Sequence, residues 1–274
     1  MNALEARRIY LHAITPLHSG IGQAVDVVDL PIAREKATGW PVIPGSSLKG
    51  TLRSGYDEQT AAKLFGTPES AGLVSLTDLR ILCLPVRSFY GTFAWVTSPL
   101  VLERFARDGE ALGAGVEWVV ANSIVRDEVA LVASGSLLTK EQVLYLEDLN
   151  LNALEDGNVT AIATGLAVEV FGNANDTFVQ RFAIVSNTVF DFLCETATEI
   201  TARIALGKDG TTSGEGGNLW YEEAVPAEAI FTGWLVETKS DTSGIDSLPA
   251  EQTIQIGGNA TVGRGLCRLV VKKP

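Results

Sequence analysis

No run of the sequence approaches the roughly twenty apolar residues that a membrane span needs. The first ten residues, MNALEARRIY, hold no apolar signal core. The expectation is a soluble chain with no membrane partner. Cysteine is scarce: Cys83, Cys194 and Cys267 are odd in number, far apart and without a CxxC pair. That usage suits a reducing cytoplasm. Histidine is scarcer still, with only His12 and His18, so a structural zinc site lacks its ligands. Positive charge is also short, with 21 Lys and Arg against 33 Asp and Glu and a net charge of −12. A free-standing nucleic-acid binder depends on clustered cations that release counterions, so this balance argues against one. Sequence repeats and heptads are absent as well.

The 274 residues suffice for one large domain, or a domain with a substantial insertion, around a real core. The few cations are unevenly placed. Residues 31–54 carry Arg34, Lys36, Lys49 and Arg53 against Glu35, and residues 257–274 carry Arg264, Arg268, Lys272 and Lys273 with no acid. These are either two solvated faces or one basic groove on an otherwise acidic molecule.

Residues 7–15 read as a central first strand ending at Pro16, and Gln23–Asp29 as a second extended run closed by Pro31. Ala33–Gly39 is polar loop and Trp40–Ile43 a short extended piece. Gly45-Ser46-Ser47 then opens a helix that Ser46 or Ser47 can cap, with Leu48 and Leu52 on one face and Lys49 and Arg53 on the adjoining stripe. A second helix is expected from Asp57 to Phe65, one strand over Leu73–Val86, and a clear helix from Pro99 to Gly109. Residues 110–170 show several short β-like runs and are expected to be an insertion packed on the core. Phe182–Ser186 restarts a strand, a mixed run reaches Glu199, and a β run continues to Leu206. Residues 207–218 are a glycine-rich loop before Leu219-Trp220-Tyr221-Glu222-Glu223, and the chain closes on a strand over 229–237 and a glycine-rich loop leading to a terminal strand. This order predicts an α+β fold with ferredoxin-like sheets, the alternative being a doubly wound parallel sheet.

Gly45–Gly50 does not satisfy GxxxxGK[ST], and Gly257–Gly265 does not satisfy GxGxxG, so nucleotide-loop readings fail. What remains at the first is a helix N-terminus that attracts an anion beside Lys49 and Arg53, or an ordinary capped surface helix. At the second, the glycines allow close approach of backbone to something bulky beside Arg264, or form a loose turn. Asp29 sits at a strand end, where a carboxylate is held rigidly enough to act as a base or hold a divalent cation, or is simply solvated. Asp26 competes from the opposite face. His18 is either an orienting group or a structural residue beside a turn.

The ordered set TPLHSG, VVDLPIARE, TGWPVIPGSSLKGTLR, PVRSFYGTFAWVTSPLVLERF, LWYEEAVPAEAIF and IGGNATVGRGL resembles the RAMP superfamily, and within it the repeated backbone subunits of Cmr-type (type III-B) CRISPR effector complexes. The resemblance covers most of the chain; 110–170 and 207–218 are its least similar parts. It implies a ferredoxin-like, RRM-related core over 1–274 with insertions, and a thumb-like hairpin at 207–223. It also implies copies stacked as a filament on a guide RNA, beside other subunits, cutting the paired target RNA with a divalent cation such as Mg or Mn. On that resemblance Asp29, rather than Asp26, is the cleavage carboxylate and metal ligand. His18, Tyr221, Glu222 and Glu223 join it as catalytic candidates, while Ser46, Ser47, Lys49, Arg53, Gly263 and Arg264 face RNA. The competing functions are a non-catalytic guide-RNA scaffold of the same fold, and a stand-alone guide-processing nuclease, for which two histidines leave little room.

Overall fold

The computed structural model describes residues 5–22, 28–116, 126–208, 211–212, 217–238 and 243–272. The expected first strand is β1 (Ala6–Ala13). A short β2 (Val42–Ile43) leads into helices α1 (Gly45–Arg53) and α2 (Glu58–Phe65). Strands β3 (Val74–Leu76), β4 (Leu79–Arg87) and β5 (Phe93–Thr97) precede α3 (Pro99–Ala111). Next come β6 (Val129–Val132), β7 (Thr139–Lys140), β8 (Val143–Leu146) and β9 (Leu149–Glu155), followed by α4 (Gly157–Phe171) and α5 (Asp176–Val179). The chain continues through β10 (Phe182–Ile184), α6 (Asn187–Thr196), β11 (Glu199–Ala205), β12 (Asn218–Ala224) and β13 (Ile230–Glu237). It closes with α7 (Ser243–Asp246), β14 (Glu251–Gln255) and β15 (Leu266–Val271).

Thirteen strands form one sheet. Its main path runs β14, β15, β1, β13, β4, β5, β10, β6, β9, β8, β7, with β2 beside β4 and β3 beside β13. Between its strands only β5 with β10 and β6 with β9 pair in parallel among the described residues. The doubly wound parallel alternative is therefore wrong. Parallel neighbours need a long crossover, whereas β4 and β5, or β8 and β9, are joined by short turns into antiparallel pairs. The architecture is mixed α+β with a large, mostly antiparallel sheet.

Strand β1 is central, between β13 and β15, and seven of its eight residues are buried. Arg7 and Arg8 are admitted there because each finds partners. Arg7 donates to the Ile245 carbonyl and Asp246, and Arg8 lies 3.6 Å over the Phe105 ring and donates to the Phe105 and Ala114 carbonyls. One apolar cluster extends from Leu11, Ile43, Leu48 and Phe65 to Leu144, Leu166 and Phe182.

The helix signals at Asp57 and Ser98 act as expected. Asp57 accepts from the amides of Gln59 and Thr60, and Ser98 accepts from Val101 ahead of a Pro99 start. Helix α1 differs. It begins at Gly45, so Ser46 and Ser47 lie inside its first turn and neither caps it; the Gly45 amide donates instead to Asp78 Oδ1 at 2.8 Å. Asp78 sits in the turn that splits the expected single strand over Leu73–Val86 into β3 and β4. Glycine is required at position 45, where a Cβ would lie 2.6 Å from the Leu76 carbonyl oxygen.

Residues 126–171 join the sheet by hydrogen bonds, through β6 on β10 and β9 on β6, and include helix α4, which the β-like reading of that region omitted. Most of the run over 116–121 lies outside the described residues. Among the described strands, β11 and β12 form a separate two-stranded ribbon, in the register Ala202 to Tyr221 and Ile204 to Leu219. This ribbon leaves Ile200, Ile204, Leu219 and Tyr221 exposed.

Candidate functional site

Segment 28–34 lies between two extended neighbours. On one side Leu30 bridges β12 in parallel: its amide donates to the Tyr221 carbonyl and its carbonyl accepts from the Glu223 amide. On the other, Ile32 bridges Gly20, and the Ala33 amide donates to the Ser19 carbonyl at 2.7 Å. These contacts fix the half-exposed Asp29 at the edge of β12, where its Oδ2 accepts from the Tyr221 amide at 2.8 Å. Oδ1 accepts no hydrogen bond from the described residues. Asp26 and Gln23–Val27, the start of the expected extended run, lie outside the described residues.

Three of the sequence candidates gather beside Asp29, but with different surroundings. Tyr221 is 42% exposed. Glu222 is buried, and both its oxygens are committed. Trp220 Nε1 donates to Oε1 at 2.8 Å, while Arg203 Nε at 3.1 Å and Asn259 Nδ2 at 2.8 Å donate to Oε2. Burial pushes the Glu222 carboxyl up, but the bonds from Trp220 and Arg203 and the charges of Arg203 and Arg264 more than offset this, leaving it below its ordinary value. Glu223 is buried too. Its Oε1 accepts from Arg34 at 2.6 Å and Thr198 Oγ1 at 2.9 Å, and its Oε2 from the Ile32 amide at 3.0 Å. Both glutamates thus bind the polypeptide together, each carboxylate oxygen accepting from a protein donor.

His18 is 8% exposed, and its Nδ1 lies 2.6 Å from the Glu223 carbonyl. A carbonyl only accepts, so Nδ1 carries a proton in this contact. The ring is wrapped by glycines. A Cβ on Gly20 would fall 2.5 Å from Nε2 and one on Gly258 3.0 Å from Cδ2, and the Gly258 amide donates to the His18 carbonyl. The bulky object that the terminal glycine loop approaches is therefore His18. In that loop Gly263 adopts φ +81° in open space, and Arg264 is buried, donating to Thr201 Oγ1 at 3.0 Å. The loop thereby joins the base of the β11/β12 ribbon.

The expected basic groove loses most of its members to internal contacts. Arg34 holds Glu223 and the carbonyls of Gly39 and Cys194; Arg53 donates to the Ala61 and Gly66 carbonyls at the end of α2; Arg268 pairs with Glu251; and Lys272 reaches the Val168 carbonyl. Lys273 lies outside the described residues. Lys49, with Ser46, remains exposed at the edge of an open groove of about 620 Å³ beside Thr67 and Glu69. The anion-attracting end of α1 already holds a carboxylate, that of Asp78. Among the described residues no three His, Cys, Asp or Glu side chains cluster to hold a metal. Among the described residues, too, no helix is long and apolar enough to cross a membrane.

Sequence reasoning counted Arg34 only among the cations of a possible basic groove, gave Trp220 no role, and did not single out Thr198, Arg203 or Asn259. The one available signal was the pair of adjacent glutamates Glu222 and Glu223 in an alternating strand, because a buried carboxylate requires donors.

The fold is a large, mostly antiparallel sheet with a separate ribbon and a glycine loop folded over a histidine. The sequence pattern of the RAMP superfamily matches residues 10–268, and the chain belongs to that superfamily. It is 37% identical over 289 aligned residues to the CRISPR system Cmr endoribonuclease Cmr4 of Pyrococcus furiosus, covering 98% of this chain and 97% of that protein. Its fold matches the crystal structure of oligomeric Cmr4 from Pyrococcus furiosus with a TM-score of 0.78 at 31% identity, over 100% of this chain and 99% of the other. A chain of the type III-B Cmr-beta bound to cognate target RNA shares the fold at 22% identity, with a TM-score of 0.74 over 97% and 96% of the two chains.

Proposed function

We propose that this chain is a repeated backbone subunit of a cytoplasmic type III-B CRISPR effector, binding guide RNA and cutting the complementary target RNA. The near full-length likeness to a Cmr endoribonuclease, and to an oligomeric relative, supports the class of activity and the self-copies. The observation that carries the catalytic reading is Asp29, half-exposed and held by the Tyr221 amide through Oδ2, with no donor to Oδ1 among the described residues. The core is read as ferredoxin-like, residues 110–170 as an insertion packed on it, and the ribbon with residues 207–223 as the thumb that parts the RNA duplex. Ser46, Ser47 and Lys49 on α1, with Gly263, form the RNA-facing side; Arg53 and Arg264 shape it from within.

RNA carries its own nucleophile. Asp29 removes the proton of the 2′-OH, the 2′-oxygen attacks the adjacent phosphorus, and the 5′-oxygen leaves once the nucleotide is splayed into line. The exposed Tyr221 supports the displaced nucleotide, while Glu223 holds the segment carrying Asp29, Glu222 ties the ribbon to the glycine loop through Asn259, and His18 ties that loop to Glu223. A hard cation such as Mg or Mn takes oxygen ligands; where one binds, Asp29 would hold it, in place of acting directly as the base, and it would supply neutralisation of phosphate charge. Guide pairing selects sequence while the protein reads backbone and shape.

A specific observation favours a second reading, the non-catalytic scaffold: apart from Asp29, the acids at the site are saturated by protein donors. Purification separates either reading from an unrelated role. The chain should carry RNA and form a filament, and with its guide should bind complementary RNA. A monomer free of RNA that does not bind a guide would overturn the proposal. Cutting at regular intervals selects the nuclease over the scaffold.

A further inference from the structure

We infer that Arg34 is a positioning residue for Asp29, acting by compensating the buried charge of Glu223; this rests on the proposed role of Asp29 in cleavage. Asp29 lies in a segment that belongs to neither the sheet nor the ribbon, and its placement depends on a few ties. One of them is the Ile32 amide, which donates to Glu223 Oε2 at 3.0 Å, three residues beyond Asp29. The Glu223 amide holds the Leu30 carbonyl and its own carbonyl holds His18 Nδ1 at 2.6 Å. Glu223 thus fixes the segment on both sides of Pro31 and the neighbouring histidine loop.

That arrangement buries a carboxylate, with a side chain only 7% exposed. A buried anion persists when a cation and further donors meet it. Arg34 is the one cation that contacts Glu223 among the described residues, at 2.6 Å. Its guanidinium is itself aimed by the carbonyls of Gly39 at 2.8 Å and Cys194 at 3.0 Å. Thr198 supplies the remaining donor. Arg34 therefore joins the loop after Asp29, the end of α6 and the base of β12 through one carboxylate. Removing it leaves Glu223 uncompensated, and the carboxylate leaves the Ile32 amide for water. A displacement of about 1 Å at the reacting carboxylate is enough to cost on the order of 100-fold in rate.

The test is a double-mutant cycle in the guide-loaded assembly. Arg34→Met should lower target cleavage by on the order of 100-fold while guide and target affinities stay within about twofold and keep their salt dependence, because no phosphate contact is lost. Glu223→Gln alone should also lower cleavage, since it leaves Arg34 facing an amide. Combining the two should restore at least about tenfold over Arg34→Met: the amide oxygen still accepts from Ile32 and no buried charge remains to be compensated. A double variant no faster than Arg34→Met overturns the inference. So does a fall in guide affinity with a shallower salt slope, which would make Arg34 an RNA contact. If Arg34→Met does not assemble, Arg34→Lys decides: faster hydrogen exchange at the Ile32 amide with unchanged exchange in α1 is expected, and unchanged Ile32 exchange refutes the role. Persistent cutting by Asp29→Ala would instead remove the nuclease reading on which the inference rests.

Discussion

The Tyr221 amide donates to Asp29 Oδ2 at 2.8 Å across 192 positions of sequence. The contact makes the ribbon part of the site, because β12 supplies the donor and also brackets Leu30. Anything that unseats β12 would therefore release the Asp29 carboxylate.

The two cations on α1 separate on these grounds. Lys49→Ala should leave thermal stability within about 0.5 kcal/mol, weaken guide binding and reduce the salt slope by about one. Arg53→Ala should destabilise the fold by about 1–3 kcal/mol, since the Ala61 and Gly66 carbonyls lose their donor. Chemical denaturation and a salt titration of guide affinity read the two effects independently.

Gly20→Ala should disturb the histidine loop. The new Cβ would meet His18 Nε2 at 2.5 Å, so the ring must shift, at a cost of about 1–3 kcal/mol. Gly50→Ala serves as the comparison, because nothing lies within 4 Å of that position. The measurement is the unfolding midpoint of each, with cleavage rate alongside, and only Gly20→Ala should lower both.

Acid should loosen the seat of β12. The Glu222 carboxyl lies below its ordinary value in the folded chain. A depressed folded value contributes stability that is present above the unfolded value, about 4.3 for glutamate, and is lost as pH falls through the folded value. Glu35, Asp57, Asp108 and Glu251 are lowered as well, so the informative quantity is a difference. From pH 6 to pH 3, Glu222→Gln should lose less thermal stability than the parent chain, having lost the group that must be protonated.

Removing Asp78 tests the end of α1. Asp78→Ala deletes the side chain that accepts from the Gly45 amide, and should cost about 1 kcal/mol in equilibrium unfolding.

Local chemistry was legible where it acts locally. Asp57, Ser98 and Pro99 announce α2 and α3, and the Ile9-Tyr10-Leu11 run ahead of Pro16 announces the first strand. Helix α4 was not read because Val159, Ile162, Ala163, Leu166, Ala167 and Val170 sit among further apolar residues, which blurs the helical period. Its ends carried usable signals, Asp156 as a cap and Gly172 in the left-handed region. The cap on α1 escaped because Asp78 arrives from 33 residues away. At the site, resemblance chose Asp29 and pointed to Tyr221, Glu222 and Glu223. It did not show that the two glutamates hold protein groups, nor that Arg34, Arg53 and Arg264 are engaged internally, because a count of charges does not show which are already paired.

Cleavage by the assembled ribonucleoprotein carrying Asp29→Ala, measured beside its binding of complementary RNA, tests the central claim most directly. Binding should stay within about twofold while the cutting rate falls on the order of 100-fold or more. Cutting at the parent rate with binding intact would contradict the assignment of Asp29.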